Sequence, residues 1–274
     1  YIPLVTVITV VYNNEELIER CIHSILNQDY GNIEFIIIDG GSTDGTVDIL
    51  KQYDNYIDYW LSEKDAGIYD AINKGLSLAS GQIISILNSD DEYSPSALED
   101  IVNTFLSNPQ ISLVYGRSEY ITKTGKVHPH YFKDFNEYMF WDIVCNHEAM
   151  FVLKECYELT GKYDTSYQIA ADMKWTQQLF KHHIKAHPLN KLVLKHNEGG
   201  VSTNAQVESI KERKRLLQEN FPNLTSVNID DLFDKYYYRN YKSVGITSHL
   251  RGYRDFTPIF SLIEEDYYFH KYNC

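Results

Sequence analysis

The sequence has no CxxC pair, and its four cysteines, Cys21, Cys145, Cys156 and Cys274, stand far apart. That scatter suits neither a zinc site nor a dense disulfide framework, and it points to a reducing, cytoplasmic setting. The longest apolar runs, such as "LVTVITVVY", fall well short of the ~18 residues expected of a membrane-spanning helix, and no signal-peptide pattern opens the chain. Positive charge is scarce as well: 25 Lys and Arg stand against 38 Asp and Glu, a formal net charge of -13. Such a balance argues against a nucleic-acid binder that relies on broad phosphate attraction. The deficit is local, since residues 1–204 carry 15 basic against 28 acidic side chains while residues 205–274 carry 10 of each. Phosphate-loop signatures are absent too. "DGGSTDGT" lacks the Lys that would follow the last Gly of a Walker motif, and the first strand does not lead into GxGxxG.

What is present is an ordinary globular composition. With 43% hydrophobic residues, 274 residues can build one large α/β domain, or one domain with an appendage. "VTVITVVY" reads as a buried strand, and the segment after it sets Leu17, Cys21, Ile25 and Ile18, Ile22, Leu26 at helical spacing. The unit recurs as "IEFIIID" before "STDGTVDILKQY", where Asp44 is a candidate helix cap, and as "YDAINKGLSLAS" before "QIISILN". Continuous apolar strands separated by amphipathic helices imply a parallel sheet covered on both faces. Ser94-Pro95 predicts another helix start and "ISLVYG" a further strand. Beyond Gly116 the alternation weakens into a hairpin pattern around Thr124-Gly125 and the aromatic stretch "FNEYMFW". "DMKWTQQLFKHH" and "AQVESIKERKRLLQENF" have helical periodicity, and "IKAHPLNKLVLKH" contains a candidate strand.

In open α/β sheets, ligands lie beyond the carboxyl ends of the parallel strands. Three successive strand exits here carry "YNN", "DGGSTDG" and "NSDDEY". The third is the most telling, because adjacent Asp90 and Asp91 at the tip of an apolar strand repel each other and lose hydration. Each loop alone has a plain alternative as a turn followed by a helix start.

Taken in order, "VITVVYNN", "IIIDGGSTDGT", "DAGIYDAINKG" and "ISILNSDDEY" resemble family 2 of the nucleotide-sugar glycosyltransferases, inverting enzymes with the GT-A fold. The likeness continues more thinly through "NHEAMF", "AADMKW" and "EGGVS" and fades beyond about Asn204. It implies a Rossmann-like, mostly parallel α/β sheet flanked by helices over residues 1–204. Residues 1–116 would form the nucleotide-sugar half and 117–204 the acceptor side, with a helical or irregular extension, 205–274, packed on the main domain. It implies a nucleotide site at Val11, Tyr12 and Asp39, with Asp65, Gly67, Asn73, Ser89 and Asp90 also facing the nucleotide. A divalent cation, Mn²⁺ or Mg²⁺, would be held by Asp90 and Asp91 and would bridge the diphosphate. Asn88 stands where many relatives carry the first Asp of a DXD motif.

By the same resemblance Asp172 of "AADMKW" is the general base that takes the acceptor proton; its structural alternative is a helix N-cap. His147 and Glu148 of "NHEAMF" are implied near the sugar and acceptor. His196, before "NEGGVS", is set aside as a strand-end histidine that needs no ligand. The expected partners are a UDP-sugar donor and a saccharide or lipid-linked saccharide acceptor, with no nucleic acid. In the tail, "KERKR" and "YYYRNYK" set basic residues beside aromatics that can touch anionic lipid headgroups at the inner face of a membrane. A solvated helix face with packed tyrosines is the plainer reading of the same residues. Two rivals stand beside this assignment. A sugar nucleotidyltransferase would want a Gly/Arg/Lys-rich first loop, where "YNNEE" is acidic, and a non-catalytic calcium-binding protein would want an EF-hand loop or an acidic repeat.

Overall fold

The computed structural model describes residues 2–132, 135, 144–199, 206–222 and 229–230. The chain divides into two compact units, Tyr1–Gln206 and Val207–Cys274. "FNEYMFW" after Phe135, the end of "EGGVS", "YYYRNYK" and Cys274 lie outside the described residues.

The first unit is built on one sheet. Strands β1 (Val5–Val11), β2 (Ile33–Asp39), β3 (Tyr59–Ser62) and β4 (Ile83–Asn88) run parallel, with β1 between β2 and β4 and with β3 beyond β2. All seven residues of β1 are buried, as a β-branched run without polar alternation requires when both faces are covered. The later strands are β5 (Glu92–Tyr93), β6 (Leu113–Ile121), β7 (Val127–His130), β8 (Met150–Leu153) and β9 (Ala186–Asn197). The spatial order among the described residues is β3-β2-β1-β4-β8-β6-β9-β5, with β7 paired to β6. β8 is antiparallel to both its neighbours, β4 and β6, and β5 is antiparallel to β9.

The helices of this unit are α1 (Ile18–Leu26), α2 (Thr46–Gln52), α3 (Ile68–Leu78), α4 (Ala97–Ser107), α5 (Lys154–Thr160) and α6 (Ala171–Lys181). α1 buries Ile18, Cys21, Ile22 and Ile25, one stripe of a 3.6-residue period, and leaves Leu26 at the surface. α3 packs hard against β1: a Cβ at Gly75 would lie 2.4 Å from Ile8 Cγ2, so only glycine permits this approach without displacing a core side chain. Gly45 directly precedes α2, yet Asp44 Oδ1 still accepts the Thr46 N–H at 3.0 Å. α4 begins at Ala97, later than Ser94-Pro95 suggests, because Ser94 is engaged by β9, its N–H donating to the Val193 carbonyl at 2.9 Å. β3, β5, β8 and α5 have no counterpart in the sequence reading. They are two to seven residues long, too short for a period to declare itself. Helix α7 (Gln206–Asn220), which belongs to the second unit from Val207 on, forms where the periodicity predicts a helix.

Register places the site. Val10 pairs with Asn88, Val11 with Asp39, and Asp39 with Ser62, so four parallel strands end level with one another.

Candidate active site

The three loops at these level strand ends are cross-tied by the asparagines of "YNN". Asn13, in a left-handed conformation (φ 47°), accepts the Thr43 N–H on Oδ1 at 2.8 Å, and its own N–H donates to Ser42 Oγ at 2.7 Å. Asn14 Nδ2 donates to Ser89 Oγ at 2.9 Å, linking the first exit to the third. Tyr12, 64% exposed, stands out from this frame, while Val11 is buried. Asp39 is fully buried. Its Oδ2 accepts from Gly41 N, Ser42 N and Ser62 Oγ at 3.2, 3.0 and 2.5 Å, and its Oδ1 accepts from Ser42 Oγ at 2.5 Å. What Asp39 presents outward is therefore the loop it shapes rather than a free carboxylate. Asp65 lies beside that loop, since a Cβ at Gly40 would come within 2.6 Å of its Oδ2. Its Oδ1 accepts from Gly67, whose φ of 119° is open to glycine and strained for other residues. Asn73 is placed elsewhere: its amide bonds the backbone of Tyr163 twice, at 2.8 and 3.0 Å, and serves as a clip between α3 and the segment before α6.

Antiparallel pairing delivers the remaining groups. Because β8 runs back along β4, Glu148 meets the end of β4, where it accepts from Asn88 Nδ2 at 2.5 Å. Because β9 runs back along β5, His196 and Asn197 meet the acidic tip. His196 Nδ1 lies 3.1 Å from Asp91 Oδ2, Asn197 N–H donates to Asp91 Oδ1 at 3.0 Å, and Asn197 Nδ2 donates to the Asp90 carbonyl at 2.7 Å. Asp91, Glu148 and His196 each offer a ligand atom within 4.8 Å of the others, the one such set among the described residues. The sequence reading named Asp90 with Asp91 and set His196 aside; the geometry groups Asp91 with Glu148 and His196, and leaves the Asp90 carboxylate next to that group.

The electrostatics of this group fit a cation. Burial pushes the Asp90, Asp91 and Glu148 carboxyls above their ordinary range. His196 is raised to about 9 because the Asp91 charge and hydrogen bond outweigh the cost of burying an imidazolium. Asn88 Oδ1 is buried without a protein partner beside the same carboxylates. A divalent cation would take the place of the proton that His196 holds against Asp91, and the two carboxylates, the neutral imidazole and the spare amide oxygen are then donors it accepts, the histidine suiting Mn²⁺ better than Mg²⁺.

Asp172 shares His147 with Glu148 of this group. It lies in the first turn of α6, after Ala170, so it is not the N-cap residue, although its carboxylate accepts from the Met173 N–H. His147 Nδ1 is 3.4 Å from both Glu148 Oε2 and Asp172 Oδ2. Burial disfavours the imidazolium, but the Glu148 charge and the Asp172 hydrogen bond win and raise His147 to about 9. Burial likewise pulls Asp172 up, and the His147 hydrogen bond and charge leave it below the usual carboxylate range. A carboxylate held ionised at neutral pH, 14% exposed, is a competent proton acceptor.

A mixed α/β sheet, parallel from β3 to β4 and flanked by helices, with a carboxylate-histidine cluster at its strand ends, has the GT-A architecture. The family model for Glycosyl transferase family 2 matches residues 6–157, more than half of the chain, and the chain belongs to that family. It is 32% identical over 176 residues to an uncharacterized glycosyltransferase of Mycobacterium tuberculosis, covering 63% of this chain and 67% of that one. It is 44% identical over 100 residues to the teichuronic acid biosynthesis glycosyltransferase TuaG of Bacillus subtilis, 35% of this chain and 40% of that one. The fold matches that of S. aureus TarS 1–349, solved in complex with UDP-GlcNAc, with a TM-score of 0.68 at 19% identity over 87% of this chain and 73% of that one. Family membership leaves the nucleotidyltransferase and calcium-binding readings without support.

Proposed function

We propose that this glycosyltransferase is metal-dependent and inverting, and that it moves a sugar from a UDP-sugar to a hydroxyl of a carbohydrate or lipid-linked saccharide. The observation that carries the reading is the meeting of two groups at His147 Nδ1: the cation-ready set Asp91, Glu148 and His196, through Glu148, and the ionised Asp172. Tyr12 and the Asp39-shaped loop bind and orient the nucleoside. Ser89, tied to Asn14, and Asp65, beside Gly40, wall that pocket. A cation held by Asp91, Glu148 and His196 would supply stabilisation of negative charge on the departing diphosphate. Asp172 accepts the proton of the acceptor hydroxyl as its oxygen attacks the anomeric carbon from the side opposite the diphosphate, which inverts that centre. His147, facing both Glu148 and Asp172, spaces the two carboxylates and keeps Asp172 ionised.

TarS is known with UDP-GlcNAc and TuaG is named for teichuronic acid biosynthesis, which supports a UDP-sugar donor and a polysaccharide or glycoconjugate acceptor. A cytoplasmic enzyme working at the inner face of a membrane would meet both. The test is a donor-hydrolysis screen across nucleotide sugars with Mn²⁺ or Mg²⁺, water standing in as acceptor. Release of UDP from one donor, dependent on the metal, is expected; no turnover and no binding for any donor would overturn the reading.

A further inference from the structure

Tyr69 connects the donor side of the site to the base. It lies on the buried face of α3, whose N-terminal approach carries Asp65, and is 5% exposed. Its ring stacks on Tyr163, centroids 5.6 Å apart at 18°. Tyr163 is clipped to the same helix by Asn73 and leans on Trp175, 5.4 Å away, one helical turn beyond Asp172 on α6. The phenol is thereby fixed in place, and its hydroxyl points at two acceptors: Asp172 Oδ1 at 3.0 Å and the Ile169 carbonyl at 2.7 Å. A phenol has one proton, and an ionised carboxylate is the stronger acceptor, so Asp172 holds at least a share of it. The other oxygen, Oδ2, faces His147. The Met173 N–H also bonds this carboxylate; with two acceptor sites on each oxygen, the partners His147, Met173 and Tyr69 still leave room for an incoming hydroxyl.

We propose that Tyr69 is a positioning residue for the transfer reaction: its hydroxyl, with His147 on the other oxygen, fixes the rotation of the Asp172 carboxylate toward the acceptor. The inference rests on the reading of Asp172 as the base. A carboxylate that loses one of its partners is freer to turn about its terminal torsion, which is broad for Asp, and a misdirected base is slow without binding anything less tightly. Helix α3 then serves both halves of the reaction, with its N-terminal end beside the nucleotide loops and its buried face aiming the base.

Tyr69→Phe keeps the stacked ring and removes only the hydroxyl. The experiment measures steady-state hydrolysis of the UDP-sugar found by the donor screen, UDP affinity by titration and the melting temperature. The expected result is a fall in kcat of ~10-fold or more, with donor KM and UDP affinity within about twofold of the parent. In the Asp172→Asn background the same change should cost no further kcat, because a residue that acts through Asp172 has nothing left to aim. An unchanged kcat in Tyr69→Phe overturns the proposal, as does an equal proportional loss in the Asp172→Asn background. So does a kcat loss matched by losses of UDP affinity and melting temperature, the pattern of a purely structural residue. Full turnover by Asp172→Asn alone would instead sink the base assignment, and so separates that failure from a failure of the Tyr69 role.

Discussion

The expectation that Asp172 of "AADMKW" is the base came from family likeness, and its alternative as the N-cap residue is excluded by Ala170, which holds that position. Because Asn keeps an oxygen that can accept the Met173 N–H, Asp172→Asn should fold as the parent does and bind UDP as well, while turnover falls by ~10²-fold or more. The check is kcat beside melting temperature and UDP affinity; near-parental turnover would remove Asp172 from the chemistry. Asp164, the nearest carboxylate before α6 in the sequence, is a poor substitute because Lys174 Nζ holds it at 2.8 Å. That bond lowers its carboxyl to about 2 from the ordinary 3.8. A folded value below the unfolded one adds stability that is fully present above about pH 4 and is lost as the pH falls through ~2. Asp164→Asn should therefore melt below the parent at neutral pH, by a small margin because the pair is partly exposed, and the gap should close between pH 4 and 2. A gap independent of pH would contradict the assignment. His196, and the place of Glu148 at the acidic tip when the resemblance set it only near the sugar and acceptor, show where sequence reading stops. The two side chains reach the acidic tip through contacts spanning 105 and 60 residues, and no local pattern announces such a meeting.

At the scale of elements, the β-α alternation of the first half was readable because β1, β2 and β4 are continuous apolar runs and α1 and α3 carry full helical stripes. β8 and β5 were not, although they bring Glu148 and the acidic tip into place, since strands of four and two residues owe their existence to their partners. α3 is the element whose role changed most. Its motif suggested that Asn73 faces the nucleotide, whereas the amide closes on the Tyr163 backbone. Asn73→Ala should leave a buried N–H and carbonyl without partners and cost about 1–3 kcal/mol of stability, with UDP affinity retained at temperatures where the variant is folded. Chemical denaturation and UDP titration together decide it. Unchanged stability with weakened UDP binding would return Asn73 to the nucleotide.

For the molecule as a whole, the charge asymmetry seen in the sequence has a structural counterpart. The acidic first unit buries Asp91 and Glu148 and sets the half-buried Asp90 beside them, while on α7 of the second unit Lys211 and Arg215 pair with Glu208 and Glu219 of the same helix. Those pairs fit the solvated-face reading of "KERKR". The concentration of buried negative charge at the strand ends is the feature a glycosyltransferase of this family would turn to cation binding, and it carries the central claim. The most direct measurement is UDP titration by calorimetry, with Mn²⁺ and with excess chelator, on the parent and on Asp91→Asn. The account predicts that chelation weakens UDP binding to the parent by ~10-fold or more, and that folded Asp91→Asn binds UDP weakly with or without the metal. Equal affinity of the parent in Mn²⁺ and in chelator would contradict it.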